Sequence, residues 1–343
     1  MKVTTIGLDI AKSVFQVHGI DETGAVVLTR RFTRRKIVPF FAKLPSCLIG
    51  IEACATAHHW ARELAALGHE VKLMPPAYVK AYVKRGKNDA ADAEAICEAV
   101  TRPTMRFVPV KSPEQQGILM VHRTRSLVVR QRTMAANAMR AHLAEFGLVA
   151  NPGVRNLLKL VARVFDAQNP EPGVPEMART ALSVLDRRLA ELEEELQALD
   201  RTLLGWHRQN AASLRLAAIP GIGVITATAI VATVSDPGAF RSGRQFAAWL
   251  GLVPKQNSSG DKLRLGGISK QGDRYLRRLL VVGATAVIRH SKNKNTPLAD
   301  WLRGLLEKKP VRLVSVAPAN KTARIAWALL VHDRTYHPYH RLA

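Results

Sequence analysis

The sequence predicts a mixed α/β domain followed by a helical remainder, and three observations predict it. Up to about residue 105, β-rich runs form a hairpin pattern and then alternate strand–helix–strand, the order that builds a mixed sheet. From Pro113 onward the apolar residues recur at helical spacing. Near residue 211 a third unit opens, in which two apolar helical stretches flank a Pro-Gly-Ile-Gly turn. Taken in order, residues 3–8 are an apolar strand ending on Asp9. Residues 14–21 and 25–32 are β-rich and are separated by Glu22-Thr23-Gly24, which reads as a hairpin turn. Residues 47–52 form a buried-strand run ending on Glu52. Residues 57–68 are helical and close on a glycine, and 70–76 form a further strand.

From Pro113 to about Gly147 the chain reads as a basic helix. Arg123, Arg125, Arg130, Arg132 and Arg140 fall between 122 and 140 with no acidic residue among them. After a break marked by Asn169, Pro170, Pro172, Gly173 and Pro175 comes a second long helix. There Leu185, Leu189, Leu192, Leu196, Leu199 and Leu203 step at the a/d spacing of a heptad seam. An intramolecular helical hairpin and a dimer seam satisfy such a stripe equally well. At 343 residues the chain has room for two or three domains, with expected boundaries at 1–107, 108–210, 211–330 and a tail at 331–343.

The net charge of +24, from 51 Lys and Arg against 27 Asp and Glu, points to a polyanionic partner, and nucleic acid is the default. Three cysteines (Cys47, Cys54, Cys97) without a CxxC pair fit neither a disulfide framework nor a zinc ribbon, and imply a reducing cytoplasm. The N-terminus enters a strand at once, without a signal-peptide core, and the longest non-polar run, 279–288, falls well short of a membrane span.

Four carboxylates stand out by position. Asp9 and Glu52 end strands, at the sheet edge where α/β sites gather, while Asp89 and Asp92 share one helical face a turn apart. Taken singly, each suits a cap or a helix dipole. As a converging set they would hold protons unless a cation compensates. With all-oxygen ligands and no nearby His or Cys, the cation is Mg²⁺ or Mn²⁺, and metal-assisted phosphodiester chemistry follows. The turn at Gly221 and Gly223 resembles a helix-hairpin-helix module, whose exposed amides take a DNA phosphate. Arg123 and Arg130 suit an RNA or DNA backbone, and a solvated face is the alternative.

The ordered set resembles the RuvC-like branch of the RNase H fold. The segments GLDIAKSVFQVHG, IEACATAHHWARELAALGHEVKLMPP, VKRGKNDAADAEAICEA, IPGIGVITA and FAAWLGLVPKQNSSGDKLRLGGISKQGDRYLRRLL are together similar to one family. It is the DEDD transposases of the insertion-sequence one-ten type, the bridge-RNA-guided DNA recombinases. The resemblance covers about residues 4–100 and 211–290 with specific motifs, while the middle helices match in character alone. It implies a RuvC-like N-terminal domain joined through helices to a C-terminal transposase domain that bears a nucleophilic serine. The family's four acidic ligands carry over onto Asp9, Glu52, Asp89 and Asp92. Its serine falls in the Ser-Gly step of GLVPKQNSSG, giving Ser259, with Ser258 adjacent. Ala55-Thr56 departs from the small glycines common after the Glu motif.

The resemblance further implies a covalent phosphoserine link to DNA and a non-coding bridge RNA that pairs with donor and target duplexes. The residues around the serine independently suit DNA. Residues 255–278 carry a net charge of +5, with Lys255, Arg264, Lys270 and Arg274 expected to hold phosphates and Asp261 and Asp273 opposing them. With no acidic cluster in the C-terminal unit, activating the serine requires docking the N-terminal carboxylates against it. Tyr275 is the rival nucleophile, and its helical context favours packing or base stacking. His58 and His59 begin a helix beside Glu52, where capping or packing is the plainer role. The expected activity is transposition by a homo-oligomer, dimer or tetramer, in the cytoplasm at the nucleoid. Two alternatives are a junction nuclease that uses the same carboxylates with water, and a packaging protein that uses only the basic surface.

Overall fold

The computed structural model describes residues 2–84, 88–166, 168, 171, 173–260 and 262–337. Asn169, Pro170 and Pro172 of the expected break, Asp261 and the end of the tail from 338 lie outside the described residues. The chain divides into two compact units, 1–113 and 114–343.

In the first unit β1 (Thr5–Ile10), β2 (Val14–Ile20) and β3 (Val26–Thr33) form an antiparallel meander, followed by α1 (Arg34–Phe41), β4 (Leu48–Glu52), α2 (Ala57–Ala66), β5 (Glu70–Met74), α3 (Pro76–Val79) and α4 (Asp89–Val100). The sheet order is β3-β2-β1-β4-β5, with β1, β4 and β5 parallel, so the mixed sheet expected from the sequence is present. The turn at 22–24 is closed by Asp21, whose carboxylate accepts from the Thr23 and Ala25 amides, while Gly24 takes a left-handed φ of 84°. Ile6, Leu8, Ile49 and Ile51 pack with Phe15, Phe41, Trp60 and Leu64 on one face. The other face is covered by α4. Gly7 and Gly50 are register partners there, and a Cβ on Gly7 would stand 2.0 Å from the Ala93 carbonyl oxygen and 2.4 Å from the Cys97 nitrogen. A Cβ on Gly50 would meet Val100 Cβ at 2.7 Å. Two glycines side by side thus cut a trough in which the helix backbone lies against the sheet.

The second unit is helical apart from one hairpin: α5 (Pro113–Ala144), α6 (Val154–Val164), α7 (Glu176–Gln209), α8 (Ala211–Ala217), α9 (Val224–Thr233), α10 (Gly243–Trp249), β6 (Pro254–Gln256), β7 (Leu265–Ile268), α11 (Arg274–Ser291), α12 (Pro297–Leu306), α13 (Val311–Val314) and α14 (Val316–His332). The leucine stripe of α7 is spent inside the chain. Leu182 and Leu189 pack with Met139, Leu143 and α6, Leu192 and Leu196 with Val128, and Leu203 with Ile118. The ion pairs Arg125–Asp200 and Arg132–Glu193 keep the same antiparallel register, seven residues forward on α5 matching seven back on α7. Of the two readings of the heptad, the intramolecular hairpin is the one observed. Helices α8 to α11 and α14 enclose a separate core around Phe246, Leu250, Leu276 and Ala323.

A buried polar node ties α5 to α9 and α11. His122 is 1% exposed, with Nε2 3.0 Å from Thr228 Oγ1 and Nδ1 3.0 Å from the Tyr275 hydroxyl. The Thr228 hydroxyl donates to the Val224 carbonyl, so it accepts from Nε2–H, and Nδ1 accepts from Tyr275. Tyr275 is therefore a packed, hydrogen-bonded aromatic. Among the described residues no helix is long and apolar enough to cross a membrane.

Candidate active site

Asp9 and Glu52 each stand one residue past Leu8 and Ile51, the last positions paired between β1 and β4, so they are neighbours across the parallel pair. Side chains alternate along a strand, which puts both carboxylates on the face that carries Gly7 and Gly50, two residues earlier. That is the face α4 covers. Because α4 touches Gly7 at Ala93, its first turn, with Asp89 and Asp92, sits at the sheet end where Asp9 and Glu52 emerge. Asn88 supplies the N-cap by accepting from the Ala91 amide at 2.8 Å, so neither aspartate is the side-chain cap.

The electrostatics agree with this convergence. The Asp9 carboxyl is pushed up to about 6, first by burial and then by the charges of Asp92, Asp89 and Glu52, against a hydrogen bond from the Ile10 backbone. Burial and then Asp92 also raise Glu52. As the side chains stand, no three His, Cys, Asp or Glu residues among the described ones are grouped tightly enough to hold a metal ion. The donor chemistry nonetheless suits a hard divalent cation, since four carboxylates that repel one another gain most from an ion between them.

Around this edge, His58 is half-buried and its Nδ1 accepts from the Lys111 amide, while His59 stacks edge-on against Trp60 and faces Glu63. Both serve packing and loop anchoring. The departure at Ala55-Thr56 falls on a strained position: Thr56 has φ 73°, a left-handed conformation costly for a β-branched residue. Gly7 and Gly50 escaped the sequence reading, although glycine inside a strand is a signal of close backbone approach.

In the second unit the predicted polar loop is the tip of a β6–β7 hairpin. Ser258 and Ser259 are exposed, but their hydroxyls differ. Ser258 Oγ accepts from the Arg264 amide at 3.1 Å, whereas no hydrogen bond to the Ser259 hydroxyl is found among the described residues. Ser259 forms the bridge that turns the tip, and Gly260 after it has φ 56°. Lys255, Arg264, Lys270 and Arg274 are all exposed. Arg277, counted in the same basic run, is instead structural, donating to the Leu250 and Gln271 carbonyls. Asp261, counted against that run, lies outside the described residues.

The turn between α8 and α9 has two unlike glycines. Gly221, at φ 88°, is pressed on α11, where a Cβ on Gly283 would stand 2.0 Å from the Gly221 oxygen. Gly223 is exposed, caps α9 and has nothing near its Cα on the side a Cβ would occupy. On α5, Arg125 and Arg132 are held by carboxylates of α7, whereas Arg123 and Arg130 are exposed with no ion pair among the described residues.

Comparison with known proteins gives these sites a family. The model of the IS110-type DEDD transposases matches residues 6–147, and that of the IS116/IS110/IS902 transposase family matches residues 213–298. A probable family 20 transposase of Pseudomonas aeruginosa is 49% identical over 338 residues, covering 98% of this chain and 100% of its own. The transposase for insertion sequence element IS1328 of Yersinia enterocolitica is 40% identical over 334 residues, 97% of this chain and 98% of its own. That for IS1111A of Coxiella burnetii is 40% identical over 340 residues, 97% and 91%. Matching models at both ends and relatives of matching length show that the chain belongs to the IS110-type DEDD transposases, enzymes that cut DNA and transfer its strands.

Proposed function

We propose that this transposase cuts and rejoins its DNA through Ser259, with Asp9, Glu52, Asp89 and Asp92 as the metal-binding carboxylates and a non-coding RNA as guide. The observation that carries the reading is the convergence of four carboxylates at one sheet edge, with Asp9 raised to about 6 by the other three after burial. Family membership implies dependence on a divalent metal, and we take the ion to be Mg²⁺, with Mn²⁺ as substitute. Bound there, it would supply charge neutralisation of the scissile phosphate.

The residues do the rest. Ser259 gives up its hydroxyl proton as Oγ bonds to phosphorus, the P–O bond to the sugar breaks, and the freed sugar oxygen takes a proton. The ester keeps the phosphodiester's energy, so rejoining reverses the same step on a second strand without ATP. A hydroxyl is a weak nucleophile unless a base or cation assists it, so the reading requires the two units to bring the carboxylates to Ser259 within one chain or between chains. The free Ser259 hydroxyl at the hairpin tip, against the engaged hydroxyl of Ser258, supports the choice of serine. Exposed Lys255, Arg264, Lys270 and Arg274 are assigned to DNA phosphates, as is the Gly223 amide region, while Gly221 shapes the turn. Unpaired Arg123 and Arg130 on α5 are assigned to the RNA backbone. Two duplexes need several active sites, so we place the working form at a dimer or tetramer in the cytoplasm, with the segments 108–210 and 211–330 serving assembly and catalysis.

Trapping denaturation-resistant protein–DNA adducts with Mg²⁺ and element-end DNA tests the chemistry. The adduct should vanish in Ser259→Ala and Asp9→Asn and persist in Ser258→Ala. Cleavage without any adduct would replace the reading with that of a water-using junction nuclease. Sequencing RNA that copurifies with the protein tests the guide, and recovery of no defined species would remove it.

A further inference from the structure

We propose that a cleft in the second unit, distinct from the Ser259 hairpin, binds an unpaired segment of DNA strand. It lies between the α8–α9 turn, α10, α11, α12, α14 and the segment 334–337 that follows α14, and encloses about 1270 Å³. Small-molecule sites span roughly 300–1,000 Å³, so there is room here for more than one nucleotide.

The lining combines two kinds of side chain. Half-buried Trp301 and Trp327 line it, with Trp327 fixed by the bond from its Nε1 to the Pro237 carbonyl at 3.0 Å. Arg244, Lys321, Arg324 and Arg334 contribute charge, and all four are exposed. No Asp or Glu lines the cleft among the described residues. None of the four cations has an ion pair among the described residues, whereas Arg125, Arg132, Arg163, Arg188, Arg215 and Arg303 of the same unit are all paired. Asp333, next to Arg334 in sequence, is taken by Arg215. The Lys321 ammonium sits 5.0 Å from the centre of the Trp301 ring, so cation and aromatic are already juxtaposed.

An aromatic wall with an uncompensated cationic rim rewards a ligand that shows flat faces and phosphates together. A single strand does this, while a duplex hides its base faces in the stack. An acidic peptide would meet the charge but leave the aromatics without stacking partners. Strand cutting and transfer open the duplex locally, so the established activity produces the ligand. The inference rests on DNA being the substrate and not on which residues cleave it.

The test is fluorescence anisotropy on the full-length protein with a labelled mixed-sequence single-stranded DNA, its duplex and the matching single-stranded RNA. Lys321→Glu/Arg324→Glu should weaken single-stranded DNA about tenfold or more while duplex affinity changes less than about twofold. Loss of two phosphate contacts should also flatten the slope of log affinity against log salt by about 1.4. Single-stranded DNA should quench tryptophan fluorescence, less so in Trp301→Phe. Unchanged single-strand affinity, an equal loss on duplex, or tighter binding of the RNA strand each overturns the proposal. If the charge-reversed protein fails to fold by circular dichroism, Lys321→Gln/Arg324→Gln is read by the same criteria. Strand cleavage by Asp9→Asn protein, measured separately, tests the carboxylate site, so the two readings fail independently.

Discussion

Replacing Gly7 with alanine adds one methyl group, yet it should disable the protein. The new Cβ would stand 2.0 Å from the Ala93 carbonyl oxygen, 2.4 Å from the Cys97 nitrogen and 2.8 Å from Cys97 Cβ, where ordinary contact begins at 3.4 Å. The obstacles are mainly helix backbone, which cannot rotate aside, so α4 has to lift from β1 by more than about 1 Å. Overpacking of this kind costs about 1–3 kcal/mol or more. For a unit of 113 residues, about 2 kcal/mol lowers the melting temperature by roughly 10 °C. The functional loss should be larger, because Asp89 and Asp92 ride on the displaced helix. A misplacement of about 1 Å can cost on the order of a hundredfold in rate. Thermal unfolding by circular dichroism and strand cleavage on element-end DNA measure the two effects. Gly117→Ala is the control: it lies inside α5 with nothing within 4 Å of its added Cβ, and should stabilise by about 1 kcal/mol. A Gly7→Ala protein that melts with the wild type and cleaves within about twofold of it would refute the trough as the device that positions the carboxylates.

Thr56→Gly should relieve the left-handed strain beside Glu52 and stabilise the first unit by about 1 kcal/mol, read as a higher denaturation midpoint in urea. His122 is held down to about 4 by burial and then by Arg125, against 6.5 in the unfolded chain. The unfolded state therefore takes the extra proton, and the His122 contribution to stability is flat above about pH 7 and falls by about 3 kcal/mol as pH drops from 6.5 towards 4, opposed over the same window by Asp9, whose raised carboxyl favours the folded state as it protonates. His122→Gln should lose that slope in urea titrations at a series of pH values. Removal of divalent metal with EDTA should abolish strand cleavage while single-strand binding in the α12–α14 cleft persists.

The sequence showed its chemistry more plainly than its packing. Asp9 and Glu52 were legible because each closes a short apolar run that reads as a strand, although β1 runs one residue past Asp9 to Ile10. The pair Asp89 and Asp92 was legible because a spacing of three repeats one helical face. What brings them together was not, since Gly7 and Gly50 act only as register partners under a helix that starts some eighty residues after the first of them. The run that forms α1 was hidden by Pro39 and two phenylalanines, which read poorly as helix until Ile37 and Phe41 are seen buried. The β6–β7 hairpin was hidden too, being only three and four residues long on its two strands, with exposed Pro254, Lys255 and Gln256 on one and two glycines on the other.

The heptad of α7 shows the limit most clearly. An a/d stripe states that an apolar partner exists, never whose it is. Here α5 and α6 are that partner, and the charges say so as well: Arg125 and Arg132, part of what looked like a uniform nucleic-acid face, are matched to Asp200 and Glu193 across the helices. Subtracting the cations that fold the protein leaves those available to a ligand. The remainder includes Arg123 and Arg130 on α5, the rim of the Ser259 hairpin and the cleft lined by Trp301 and Trp327, alongside further exposed cations such as Arg30, Arg31, Arg35 and Lys36 in the first unit. Part of the surplus of +24 therefore lies on three basic surfaces of the second unit whose named arginines and lysines have no ion pair among the described residues. Charge reversal at one surface should then change affinity for one form of nucleic acid and leave the others near wild type.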